Sequence, residues 1–109
     1  MEKRIKQSVG IDCGLKELVG SYGVMDEKFD VKILSNTQFK NEASGFKKLV
    51  AWSKKLNPGK NEVVYVMEAT GVYHEKCALY LHEQGCKVVV VLPNPDIHRD
   101  KNFVSKNGQ

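Results

Sequence analysis

The order of strand and helix signals predicts an α/β domain built on one five-stranded mixed sheet, in the order 3-2-1-4-5, with flanking helices. Two observations carry that expectation. Three strand-like runs open the chain with only short links between them, as an antiparallel meander requires. A strand, helix, strand unit follows, long enough for a right-handed parallel crossover.

The opening runs are Gln7 to Ile11, Leu18 to Val24 and Phe29 to Gln38. Alternation at Val31 and Ile33 marks the third. The turn Cys13-Gly14-Leu15-Lys16-Glu17 and the polar Met25 to Lys28 separate them. Asn41 is placed to cap a helix from Glu42 to about Leu56, with Phe46, Leu49, Val50 and Leu56 inward and Trp52 at the margin. Asn57-Pro58-Gly59-Lys60 ends it.

The organising stretch is Val63 to Val91. Its first run, Glu62 to Met67, is apolar and β-branched, as in a strand buried on both faces. Glu68 ends that run. Thr70 is placed to cap a helix from Val72 to Gln84, and Gly71 permits a tight turn. Gly85 closes the helix, and Lys87 to Leu92 reads as a second buried strand. The meander followed by β/α units is the order of a ribonuclease H-like sheet. Ordinary doubly wound folds alternate strand and helix from the start.

In that sheet the first and fourth strands are parallel neighbours. Asp12 ends one and Glu68 ends the other, so two distant carboxylates meet beyond the carboxyl ends of adjacent strands. Mg²⁺, or Mn²⁺, suits such hard oxygen ligands and accepts one or two carboxylates together with substrate phosphates. Two ions can clamp an in-line phosphodiester displacement, which needs more acid than this pair supplies. Each acid alone also has an ordinary role, Asp12 in a turn and Glu68 at a helix start.

With 109 residues the chain suffices for one domain, read as residues 5–94 followed by a polar tail, 95–109. Its 41 % hydrophobic and 28 % charged content is that of a water-soluble globular protein, and no apolar run nears a membrane span. Three cysteines without metal-type spacing read as reduced core thiols, and the expected compartment is the cytoplasm. A formal charge of +4 permits an anionic partner. Lys47, Lys48, Lys54, Lys55 and Lys60 could form a stripe facing nucleic acid, or a solvated face. Tyr73 and His74, at the expected helix start, are candidates to contact a phosphate.

Val9-Gly10-Ile11-Asp12, Phe39-x-Asn41 to Gly45 to Leu49, Met67-Glu68-Ala69-Thr70-Gly71-Val72-Tyr73-His74, Leu81-His82-Glu83-Gln84-Gly85 and Val91-Leu92-Pro93-Asn94 together resemble one family. It is the amino-terminal domain of the transposases of the insertion-sequence family numbered one hundred and ten, related to the Piv-type DNA invertases. The resemblance implies a RuvC-like fold and a four-acid Asp-Glu-Asp-Asp metal site, in which Asp12 matches the first acid and Glu68 the second. It also implies Mg²⁺ dependence, DNA as substrate, a structured guide RNA as partner, and a second domain with a catalytic serine. The third and fourth acids of the family follow the fifth strand in a Lys-Thr-Asp-x-x-Asp-like context. Here Asp96 and Asp100 are the only later aspartates, spaced by four and without Lys-Thr, and stand as substitutes.

The expectation is therefore a catalytic-domain fragment of a DNA transposase, inactive alone. The alternatives are a Holliday-junction resolvase-like nuclease on the same fold, or a remnant that binds nucleic acid without catalysis. A homo-oligomer would use an edge strand or the Trp52 helix.

Overall fold

The computed structural model describes residues 4–93. Asp96, Asp100 and the expected tail lie outside the described residues. The element order is β1 (Arg4–Cys13), β2 (Glu17–Asp26), β3 (Val31–Lys40), α1 (Ala43–Lys55), β4 (Val64–Glu68), α2 (Glu75–Glu83) and β5 (Lys87–Val91). The five strands form one sheet in the order β3-β2-β1-β4-β5. β1 pairs antiparallel with β2 and β2 with β3, while β4 runs parallel to both β1 and β5. The expected topology is the observed one.

Alternation along β1 shows which side the core is on. Gln7, Val9 and Ile11 are buried, while Ser8, Gly10 and Asp12 are exposed. Leu18 and Tyr22 on β2 and Tyr65 and Met67 on β4 join the buried set, against Phe46 and Leu49 of α1 and Cys77 and Leu81 of α2. Both helices therefore lie on one face of the sheet. A Cβ on Gly20 would stand 3.1 Å from Leu49 Cδ1 and 3.2 Å from Trp52 Cζ3, so α1 crosses β2 closely there. Trp52 packs edge-on against Tyr22 and Phe39. No described helix covers the other face.

The bare second face corrects one expectation. β4 and β5 are not buried on both sides. Val64 and Val66 are half-buried, and Val89, Val90 and Val91 of β5 are exposed. An all-apolar run is compatible with burial on both faces but does not require it. On β3 the strand is observed, but Val31 and Ile33, which mark its expected alternation, are exposed at 64 % and 57 % and face no core. A register shift between Tyr22 and Gly23 of β2 interrupts the β2–β3 ladder beside them.

Both cap assignments also need correction. The residue before α1 is Glu42, and no side chain caps that helix. α2 begins only at Glu75, after a turn through residues 71–74, and His74 occupies its cap position without a side-chain bond. Asn41 and Thr70 instead make bonds that bear on the strand ends, described next. Gly71 and Gly85 adopt φ of 78° and 81°, the left-handed region that favours glycine.

Candidate metal centre at the carboxyl ends of β1 and β4

Ile11 of β1 is paired with Met67 of β4 across the parallel ladder. Both are buried towards the helices. The next residue on each strand, Asp12 and Glu68, must then point to the opposite, open face at the same level. Adjacent strands run ~4.8 Å apart, which sets the scale of the separation between the two chains here. Asp12 and Glu68 are exposed and line one open groove of about 650 Å³, together with Gly10, Val19, Ser21 and Val66. Among the described residues, no group of three or more His, Cys, Asp or Glu could hold an ion.

The backbone holds each acid on a short, tied turn. After Asp12, the Gly14 N–H donates to Glu17 O at 2.8 Å. After Glu68, the Ala69 N–H donates to Val91 O at 2.9 Å, which extends the β4–β5 ladder past the acid. The Thr70 hydroxyl donates to Glu68 Oε1 at 3.0 Å. Thr70 thus orients the carboxylate rather than capping α2. No basic side chain among the described residues forms an ion pair with Asp12 or Glu68. Two exposed carboxylates, side by side and unpaired, attract a cation by simple electrostatics.

Cys13, next to Asp12, is a half-buried free thiol. Burial, with the Asp12 charge adding to it, pushes its pKa up to about 11. Without a bound ion it is a neutral thiol at neutral pH.

The other sequence candidates fall in two places. Tyr73 and His74 lie in the turn between β4 and α2, near the acids' end of the sheet. Tyr73 is 43 % exposed, and His74 is half-buried with a buried Nδ1 that has no hydrogen-bond partner. Lys47, Lys48, Lys54 and Lys55 are exposed on α1, in the helix layer. The sheet therefore separates them from the face that carries Asp12 and Glu68.

Sequence reasoning assigned Asn41 to the wrong task. Its side-chain amide donates to Gly14 O at 2.8 Å and to Tyr73 O at 2.9 Å. An Asn before a helix reads as a cap whenever only local sequence is considered. No local signal distinguishes the two uses.

A family model for DEDD transposases of the IS110 type matches residues 9–107. The chain belongs to that transposase family. The match runs through both acid-bearing strand ends of the transposase domain. Among solved structures, it is similar to the fowlpox virus Holliday junction resolvase, at 13 % identity and a TM-score of 0.54 over 80 % of this chain and 61 % of that one. It is similar also to Thermus thermophilus RuvC, at 16 % identity and a TM-score of 0.53, over 80 % and 62 % of the two chains. The same protein in complex with a Holliday junction substrate matches at 13 % identity and a TM-score of 0.52, over 80 % and 66 %. These likenesses establish the ribonuclease H-like fold of the transposase domain. The chain spans less than two thirds of each of those structures. No curated protein matches. Among the described residues, no helix is long and apolar enough to cross a membrane.

Proposed function

We propose that this transposase domain acts on DNA by metal-dependent phosphoryl transfer, with Asp12 and Glu68 as the first two ligands of a Mg²⁺ or Mn²⁺ site. The observation that carries the reading is their shared position: one step beyond the Ile11–Met67 pair, on one open face. Family membership supports the reaction class. The donor set fits a hard divalent cation, because both groups are carboxylates, both are exposed and neither has a basic partner among the described residues. Such an ion supplies Lewis-acid stabilisation of charge on a phosphodiester.

The chain's own residues do the rest. Asp12 and Glu68 hold the cation by charge. Thr70 restricts Glu68 through the hydroxyl bond to Oε1. Gly10 lines the same groove, and the space above it is open, since a Cβ there would meet nothing within 4 Å. A phosphate backbone can therefore approach the acids from the open side.

Two acids are fewer than a two-ion reaction needs. Asp96 and Asp100 lie outside the described residues, and the full transposase activity belongs to a longer assembly in this reading. The chain alone should hold an ion weakly and leave DNA uncut. The lysines of α1 support a second, separate nucleic-acid contact on the helix layer, suited to the backbone of a structured RNA partner.

Isothermal calorimetry with Mn²⁺ tests the reading. Binding to the intact chain should be lost in Asp12→Asn and in Glu68→Gln. Unchanged affinity in either variant refutes the site. Cleavage of a four-way DNA junction by the unaided chain would instead identify a resolvase-like nuclease. Binding of DNA or RNA that weakens with salt but ignores Asp12→Asn, without metal affinity, would identify a non-catalytic binder.

A further inference from the structure

Asn41 sits at the junction of β3 and α1, far in sequence from both acids. Its backbone N–H donates to Lys16 O at 2.8 Å. Its side-chain nitrogen donates to Gly14 O at 2.8 Å and Tyr73 O at 2.9 Å. Gly14 lies just after Asp12 on the loop leaving β1. Tyr73 lies on the turn that follows Glu68. One planar amide therefore joins the two loops that emerge from the two acid-bearing strands.

The chemistry of the bond explains the residue. Two carbonyl oxygens about one side-chain atom require that atom to be an NH₂ group. Ser or Thr has one proton to donate and cannot serve both. Asp has none when ionised. The remaining atom, Asn41 Oδ1, is buried and has no hydrogen-bond partner. That is the atom a helix cap would use, and α1 has no side-chain cap. An orphaned buried acceptor carries a cost, so the two donated bonds are the reason for an Asn here.

We propose that Asn41 is a positioning residue that sets the spacing of the Asp12 and Glu68 carboxylates by clasping the loops behind them. The proposal rests on the metal-site reading above and deepens it. The β1–β4 ladder aligns the strands only as far as Ile11 and Met67. Past that pair the β1–β4 pairing stops, and one chain goes on into the turn to β2 and the other towards α2. The Asn41 amide is the side-chain bridge between them among the described residues. Loss of a group that orients metal ligands typically lowers metal affinity ~10–100-fold.

The test uses the full chain, with Mn²⁺ as the probe, and compares Asn41→Leu and Asn41→Asp with the parent. Leu keeps the volume without donors. Asp keeps the shape, loses the donors and adds negative charge, so electrostatics alone would tighten Mn²⁺ binding. Positioning predicts the opposite sign: both variants should bind Mn²⁺ ~10-fold or more weakly. Amide hydrogen exchange supplies a readout without metal. The Gly14 and Thr70 N–H groups, bonded to Glu17 O and Glu68 O, should exchange faster in both variants. Amides of the central β1–β2 ladder should not change.

Asp variants that bind Mn²⁺ as tightly as the parent or tighter overturn the proposal. So does exchange that stays unchanged in either loop. If the parent chain binds no Mn²⁺, or Asp12→Asn binds as well as the parent, the metal-site reading fails instead. The exchange result then decides the clasp alone: loosening of both loops upholds it, and loosening of one or neither ends it.

Discussion

Asp12 and Glu68 stand on neighbouring parallel strands, each immediately after the paired, buried residues Ile11 and Met67, and both are exposed. Burial of the preceding pair dictates their direction. The helix layer takes Ile11 and Met67, so the acids can only face the open side.

Like charges on adjacent strands at one level repel, and neither acid has a basic partner among the described residues. Asp12→Asn should therefore leave stability unchanged or raise it by a few tenths of a kcal/mol, while abolishing Mn²⁺ binding. Urea denaturation of the two proteins, without metal, measures the first effect. A large loss of stability would assign Asp12 a structural role.

Gly45→Ala should destabilise the domain severely. A Cβ at Gly45 would lie 1.8 Å from Lys40 O and 2.7 Å from the Lys40 carbonyl carbon. Both are backbone atoms at the end of β3, so no rotamer change relieves the clash. Overpacking of this kind costs about 1–3 kcal/mol or more. The denaturation midpoint should fall accordingly, and an unchanged midpoint would show that α1 can shift away from β3.

The Ser53 and Tyr65 hydroxyls lie 2.6 Å apart, linking α1 to β4. Ser53 Oγ also donates to Val50 O at 2.8 Å, which uses its single proton. Tyr65 is thus the donor between the two. Ser53→Ala strands a buried O–H donor and should cost about 1–3 kcal/mol. Tyr65→Phe leaves Ser53 its bond to Val50 and should cost less. A double variant less destabilised than the sum of the singles checks the coupling.

Cys77 is completely buried, and burial, with Cys13 adding a smaller effect, pushes its pKa from the ordinary 9.0 up to about 12. A thiol pKa raised by folding stabilises the protein fully below the unfolded value. That contribution disappears as pH rises from about 9 to about 12, because only the unfolded chain readily releases the proton. Thermal melting should fall across that window, and Cys77→Val should flatten part of the fall. At pH 8, iodoacetamide should label Cys77 only after denaturation.

The strand–helix order and the strand ends that carry acids were readable from single stretches, because each depends on local pattern and turn chemistry. Phe46 and Leu49 were recognisable as inward positions for the same reason. The errors share a cause. Asn41 and Thr70 have the residue types of helix caps, and only the fold shows that their donors reach Gly14, Tyr73 and Glu68. The valines of β5 look fully buried in sequence, yet a run of valines is equally consistent with an edge strand that has one covered face.

Sequence alone determined the five-strand order and the presence of one acid at the end of each central parallel strand. Periodicity and turn residues are properties of short segments, and they survive without coordinates. Tertiary structure decided that both acids share one open face, that the α1 lysines lie on the other layer, and that an amide from the β3–α1 junction ties the two loops. Those facts depend on ladder register and on which side of the sheet the helices cover, and both arise only when distant segments pack.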